Sequence, residues 1–153
     1  MVRNAVELQP SSPAAASGPL LSCDDVRLSF GPTPALDGVR LELAAGEVVA
    51  VIGPSGSGKS SLLHCLSGIT TPTSGGVTYR GRRLGDLRDA ERTRLRLREF
   101  GFVFQFGQLV PELTAVENIT LPLRWSGLPA REAAARAHQA LVDLAVPELG
   151  GGC

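Results

Sequence analysis

The chain has 153 residues, 43% of them hydrophobic and 20% charged, with 15 basic against 15 acidic side chains and a formal net charge of +0. That length suits one domain with a real core, and the balance of charge excludes a chain drawn as a whole to nucleic acid or to an acidic membrane surface. Its apolar runs are a handful of residues long, far short of the roughly 20 that cross a bilayer, and Cys23, Cys65 and Cys153 form no C-x-x-C pair, which argues against a disulfide framework or zinc site and for a reducing cytosol.

Residues 1–19 carry Pro10, Ser11, Ser12, Pro13, several alanines, Ser17, Gly18 and Pro19. Such a composition buries too little apolar surface to offset its ordering entropy, so this stretch reads as a disordered leader. Leu20-Leu21-Ser22-Cys23 has the look of a lipoprotein cleavage site, but no apolar stretch precedes it as a secretion signal requires. From Leu21 to Phe30, Val26, Leu28 and Phe30 alternate with Arg27 and Ser29; further on, Val39, Leu41 and Leu43 alternate with Arg40 and Glu42. Period-two alternation predicts two half-buried strands joined by the turn chemistry of Gly31-Pro32-Thr33-Pro34. Ala45-Gly46-Glu47 turns the chain into an apolar run, Val48–Ile52, which reads as a buried strand.

That run leads into Gly53-Pro54-Ser55-Gly56-Ser57-Gly58-Lys59-Ser60, which fits G-x-x-x-x-G-K-[ST]. Glycines let the backbone turn tightly and bring its N–H groups up to an anion, and the lysine reaches the outer phosphates. The serine hydroxyl serves Mg²⁺, and the helix that starts here points its positive end at the same charge. A Gly/Ser-rich octapeptide could be a plain flexible turn. Against that, Lys59 is the one lysine in a chain whose other basic residues are all arginine, and it stands where the pattern demands it.

Downstream, Ser60–Gly68 predicts a helix with Leu62, Leu63, Leu66 and Ile69 on one side, and Thr70–Gly76 a turn. Val77–Arg80 predicts a short strand, and residues 89–99 an arginine-rich helix. Phe100-Gly101-Phe102-Val103-Phe104 predicts a compact apolar strand ending at Gln105. Thr114 and Glu117 have the spacing of a capping box, so a helix begins there. A last helix runs from about Pro129 to Ala145, its outer face alanine-rich and charged. Residues 80–98 hold eight arginines, read as a solvated helix face diluted by Asp86, Asp89, Glu91 and Glu99; the competing reading is a DNA contact that salt would quickly abolish.

Taken together, about residues 21–147 resemble the ATP-binding-cassette (ABC) ATPases. The resemblance rests on the phosphate loop, on Phe30 followed by Ala35-Leu36-Asp37-Gly38-Val39, and on Pro72-Thr73-Ser74-Gly75-Gly76. It also rests on Phe102-Val103-Phe104-Gln105 followed by Leu109-Val110-Pro111-Glu112-Leu113-Thr114-Ala115-Val116-Glu117-Asn118-Ile119. The wording around Gln105 is most similar to the exporter branch that includes MacB, LolD and FtsE-type subunits. The resemblance implies an α/β P-loop NTPase with a RecA-like core, an N-terminal antiparallel β subdomain and the start of a helical subdomain. Phe30 would stack on adenine, the alternative being a core phenylalanine at a strand end. Gly53, Pro54, Ser55, Gly56, Ser57, Gly58, Lys59 and Ser60 would hold the triphosphate of ATP. Ser61 would support the α-phosphate, and Ser60 and Gln105 would serve Mg²⁺. Gln105, with Lys59 the residue assigned to catalysis, would sense the γ-phosphate, the alternative being a polar strand cap.

The same resemblance implies a membrane permease partner facing 105–119, a second ATPase subunit as homodimer partner, and a cytoplasmic protein peripheral to the inner face of the membrane. No nucleic-acid partner is expected. An LSGGQ-type signature and an apolar strand closing in Asp-Glu are not found: Leu66-Ser67-Gly68 and Ser74-Gly75-Gly76 come too early, and Leu141-Val142-Asp143 falls on a predicted helix. His64 and His138 are assigned no role. Residues 20–153 therefore read as the N-terminal portion of a nucleotide-binding domain, an incomplete domain that holds ATP but turns over little of it alone. A regulatory nucleotide-binding module without turnover is the alternative, followed by a DNA-associated ABC ATPase.

Overall fold

The amphipathic alternation of residues 21–43 folds as read, into a long hairpin. In the computed structural model, which describes residues 7–10 and 18–146, strand β2 (Leu21–Phe30) pairs antiparallel with β3 (Thr33–Leu43). The turn is tighter than predicted, with Phe30 opposite Thr33 and Gly31 in the left-handed region. On its other edge β2 pairs with β5 (Ser74–Tyr79), which continues into β6 (Arg82–Arg83), giving an antiparallel sheet in the order β3-β2-β5-β6. β5 starts three residues before the predicted strand. Gly75 and Gly76 are part of it because neighbours crowd both: a Cβ on Gly75 would lie 2.3 Å from the Asp25 carbonyl oxygen at the bulge of β2, and one on Gly76 would lie 2.9 Å from the Arg83 guanidinium. Only glycine admits the first of these approaches.

The buried faces are those of the alternating pattern. Leu21, Cys23, Val26 and Leu28 of β2, Leu36 of β3, and Val77 and Tyr79 of β5 form a core with Leu62, Cys65 and Leu66 of helix α1 (Lys59–Leu66). Cys23, the cysteine of the apparent lipoprotein site, is inside this core, and burial pushes its thiol up to about 11, partly opposed by the Leu41 N–H. Burial also raises Cys65. Both stay neutral thiols at physiological pH. α1 stops two residues before the predicted end, and Gly68, just past its cap at Ser67, takes the left-handed conformation while the N–H of Ile69 bonds back to His64 O at 2.9 Å.

Two expectations fail in this region. Glu7–Pro10, assigned to a disordered leader, form strand β1, antiparallel to β4 (Val49–Ile52); residues 1–6 and 11–17 of that leader lie outside the described residues. Composition could not reveal this, because the pairing is with a strand some forty residues away and uses backbone groups that any residue but proline supplies in full. β4 itself is not the buried strand predicted: Ile52 is 49% exposed, and β1 is its strand partner among the described residues. A two-stranded ribbon has too few neighbours to cover both faces.

The described chain divides into two units, Met1–Arg96 and Leu97–Cys153, with helix α2 (Asp89–Glu99) running across the division. Several arginines in it or just before it are engaged: Arg88 with Glu91, Arg92 with Asp89 and Thr71, Arg96 with the Gly68 carbonyl. In the second unit the predicted strand at 100–104 is absent. Phe100, Phe102 and Phe104 stack in sequence, with ring centroids 6.4 and 5.6 Å apart, so the period of two survives. Without a strand in that unit to pair with among the described residues, the segment has no ladder and its side chains from Gly101 to Val110 are exposed.

Helices α3 (Ala115–Trp125) and α4 (Ala130–Asp143) pack together. The capping box is formed: Thr114 Oγ1 accepts from Glu117 N at 3.2 Å, and Glu117 Oε2 accepts from Thr114 N at 2.8 Å. Those Thr114 donors, its N–H first and its hydroxyl second, hold the Glu117 carboxyl below the usual carboxylate range. A depressed carboxyl stabilises the fold above its unfolded pKa and loses that contribution as pH falls through the folded value, so this cap weakens in acid. Thr114→Ala is expected to lower the stability of this unit by about 1 kcal/mol, read from amide exchange of Val116–Ile119. In α4 the alanines divide: Ala130 and Ala135 are on the exposed, charged face as predicted, while Ala133, Ala137 and Leu141, four residues apart, form a buried stripe. Small side chains let another helix approach closely there.

Candidate phosphate-binding site

The phosphate loop, residues 53–60, connects β4 to α1 as its sequence requires. Gly56 and Gly58 have φ of +79° and +92°, conformations in which other residues are strained. Gly58 is also a contact: a Cβ there would lie 2.3 Å from the Ala35 carbonyl oxygen of β3. The loop is thus seated on the β2–β3 hairpin. Within it, Ser57 N donates to Pro54 O at 3.2 Å and the Ser57 side chain is buried. Around Gly56 a Cβ would meet nothing within 4 Å, so that side of the loop is open.

Helix α1 begins with no side chain capping it and no acidic residue in its first turn. Its first ladder bond runs from Leu62 N to Gly58 O at 2.8 Å, so the N–H groups of Lys59, Ser60 and Ser61 precede the ladder. They and the helix dipole favour an anion at this end. Lys59 folds back over the loop, and its Nζ donates to Gly53 O at 2.8 Å, Pro54 O at 2.7 Å and Ser57 Oγ at 3.4 Å. The one ammonium group is held in the concavity formed by the loop, where phosphate oxygens can exchange for those carbonyls. Ser60, in the first helical turn, is exposed, and Ser61 half-buried. The donor set fits a triphosphate, and the free Ser60 hydroxyl fits a hard cation such as Mg²⁺.

Phe30 closes β2 at the hairpin turn and is 61% exposed, which removes the reading of a core phenylalanine. Its register partner Thr33 is two residues from Ala35, so the aromatic ring is at the end of the hairpin that touches the loop. Thr73 ties the same region to the sheet, its N–H donating to Arg27 O at 2.8 Å and its hydroxyl accepting from Ser29 N at 3.2 Å. The sequence reading missed this tie, as well as the Ala35 contact, since both join residues far apart in the chain through backbone groups that carry no sequence signal. Gln105 belongs to the second unit, exposed and in irregular backbone, so it caps no strand. A cavity of about 210 Å³, lined by Thr70, Thr71, Arg83 and Arg92 among others, is at the opposite end of α1 from the loop.

Strand, glycine loop with a lysine folded back over it, and uncapped helix together define a phosphate-loop nucleotide-binding protein of the α/β class. Comparison with known proteins narrows this. Residues 36–150 match the family model described as ABC transporter. The chain is 46% identical over 128 residues to the lipoprotein-releasing system ATP-binding protein LolD of Xanthomonas campestris, an alignment covering 78% of this chain and 54% of that protein. To LolD of Maricaulis maris it is 48% identical over 118 residues, covering 77% and 52%. Among solved structures it is similar to the ATP-binding cassette MJ0796, dimeric and bound to ADP and Pi, with a TM-score of 0.73, 37% identity, and 79% and 55% coverage. It is also similar to cbiO1 of Clostridium perfringens, part of an ABC transporter complex, with a TM-score of 0.71, 26% identity, and 88% and 53% coverage. The chain belongs to the ABC transporter family, in its ATP-binding-cassette part, and spans about half the length of the curated relatives it matches.

Proposed function

We propose that the chain is the nucleotide-binding part of an ABC export ATPase, in which ATP binding and hydrolysis drive substrate movement by a partner permease. The observation that carries this is the loop of residues 53–60, seated on β3 through Gly58, with the Lys59 ammonium within it and an uncapped helix behind it. In this reading the N–H groups of the loop and of the first turn of α1 bind the phosphates. Lys59 pairs with the β- and γ-phosphates, Ser61 supports the α-phosphate, and Phe30 covers the adenine. Ser60 would hold Mg²⁺, which when bound would neutralise charge on the phosphates as the γ-phosphoryl leaves, and Gln105 is assigned to the same cation by the family resemblance alone. That LolD is named as the ATP-binding protein of a lipoprotein-releasing system supports the exporter assignment, and the dimeric MJ0796 cassette supports a second ATPase subunit; a permease partner near 105–119 and a cytoplasmic position at the membrane belong to the same proposal. No helix among the described residues is long and apolar enough to cross one.

Titration of the chain with ATP, with and without Mg²⁺, tests the reading. Saturable, Mg²⁺-strengthened binding that Ser60→Ala makes indifferent to Mg²⁺ is expected; absence of ATP binding overturns it. Phe30→Ala is expected to weaken ATP by about 1 to 2 kcal/mol, roughly 5- to 30-fold, whereas Phe30→Tyr keeps the stacking face and the affinity. Equal losses in both would show that the ring does not stack on the base.

A further inference from the structure

We propose that Thr73 is a positioning residue for the adenine subsite, an inference that rests on the reading of Phe30 above. The pairing of β2 with β5 ends at Arg27, opposite Ser74. Leu28, Ser29 and Phe30 extend beyond that pair, with β3 as their strand partner through Leu36, Pro34 and Thr33. Thr73 precedes β5 and belongs to no strand. It nonetheless continues the missing edge: its N–H donates to Arg27 O at 2.8 Å and its hydroxyl accepts from Ser29 N at 3.2 Å, so one residue bonds the backbone on both sides of buried Leu28. A side-chain oxygen takes the place that a strand carbonyl has elsewhere in the sheet.

The place of Thr73 is set independently of the aromatic ring. Ser74 is in register with Arg27, and Gly75 fits against the Asp25 carbonyl only because it lacks a Cβ, which fixes how far β5 can slide along β2. The Thr73 hydroxyl is therefore presented from a fixed frame to Ser29, the residue before Phe30. Phe30 itself is mostly exposed, so packing does not fix its ring, and the ring's direction follows from the backbone that carries it. Stacking on a base rewards an aromatic face only in particular orientations. When the tip of β2 frays, the ring is in place for part of the time, and the affinity for the base falls with that fraction. The phosphate loop is seated instead on β3, against Ala35, so affinity for bare phosphates does not run through this tie.

The test uses the full chain with Thr73→Val, which removes the hydroxyl and keeps the shape and the N–H, and with Thr73→Ser, which keeps both polar groups; Thr73→Val is also combined with Phe30→Ala. Protection of the Ser29 amide and affinities for ATP·Mg²⁺ and for inorganic tripolyphosphate with Mg²⁺ are measured in each. Expected in Thr73→Val are a less protected Ser29 amide, ATP·Mg²⁺ binding about threefold weaker and tripolyphosphate binding unchanged, with Thr73→Ser resembling the original chain. In the Phe30→Ala chain, Thr73→Val should weaken ATP no further, because the ring it positions is gone. ATP binding unaltered by Thr73→Val, an equal loss for tripolyphosphate, or the same loss in the absence of the ring would each overturn the proposal. An original chain that binds tripolyphosphate as tightly as ATP, with Phe30→Ala changing neither, would instead refute stacking by Phe30 and leave Thr73 nothing to position.

Discussion

Replacing Lys59 by alanine is expected to raise the Kd for ATP·Mg²⁺ by about 30- to 150-fold, the equivalent of losing a charge-assisted hydrogen bond of roughly 2 to 3 kcal/mol. The ammonium is held by Gly53 O and Pro54 O within 2.8 Å, so it is in place before any phosphate arrives. Little stability should be lost with it, because carbonyls at the open side of a loop can turn to water. Lys59→Arg is expected to bind nearly as poorly: a planar fork does not replace a compact point charge in a concavity made by three loop residues. Isothermal titration of the three chains checks both statements, with the melting temperature recorded to separate binding from folding. An affinity for ATP·Mg²⁺ unaltered by Lys59→Ala would mean that nucleotide binds elsewhere.

Gly58→Ala is expected to do more damage to the fold. Two costs combine: a φ of +92° for a residue with a Cβ, and a Cβ built 2.3 Å from the Ala35 carbonyl oxygen. Backbone strain alone is of order 1 to 3 kcal/mol, and moving the hairpin away adds to it, so a total near 3 kcal/mol or above is expected, with ATP binding lost. Gly56→Ala provides the comparison. It has a similar positive φ but open space around it, so its stability cost should stay near 1 to 2 kcal/mol. Thermal melts of the two variants give the ranking; equal costs would mean that the seat on Ala35 contributes nothing.

What could be read from the sequence was what local chemistry dictates. The glycine pattern, the closing of α1 around Gly68, the Thr114–Glu117 box and the alternation in residues 21–43 each involve neighbours within a few positions, and each folds as expected. The ABC family assignment also followed from such stretches. Misreadings occurred where a partner distant in the chain decides. Phe100–Phe104 has strand composition and keeps a strand-like stacking of rings, yet a strand exists only when another supplies hydrogen bonds. Glu7–Pro10 has leader composition and pairs nonetheless, because β4 offers it an edge. Val48–Ile52 is apolar throughout but half-exposed, since its neighbour is a four-residue strand. In α4 the alanines were read as an outer face although Ala133, Ala137 and Leu141 mark a buried stripe by their spacing, a signal available in the sequence and not counted. For the site, the loop was legible and Phe30 was legible as a candidate, its exposure left open between stacking and a core position, whereas the Ala35 carbonyl that seats the loop has no sequence signature at all.

The central claim is that ATP is bound by the backbone of residues 53–60 at the start of α1. Amide chemical shifts of the labelled chain, followed as ATP·Mg²⁺ is added, test it most directly. The account predicts the largest changes at Gly56, Gly58, Lys59 and Ser60, smaller ones at Phe30 and Gly31, and none at those loop amides when adenosine replaces ATP. Shift changes that leave Gly56–Ser60 untouched while ATP saturates the chain would contradict it.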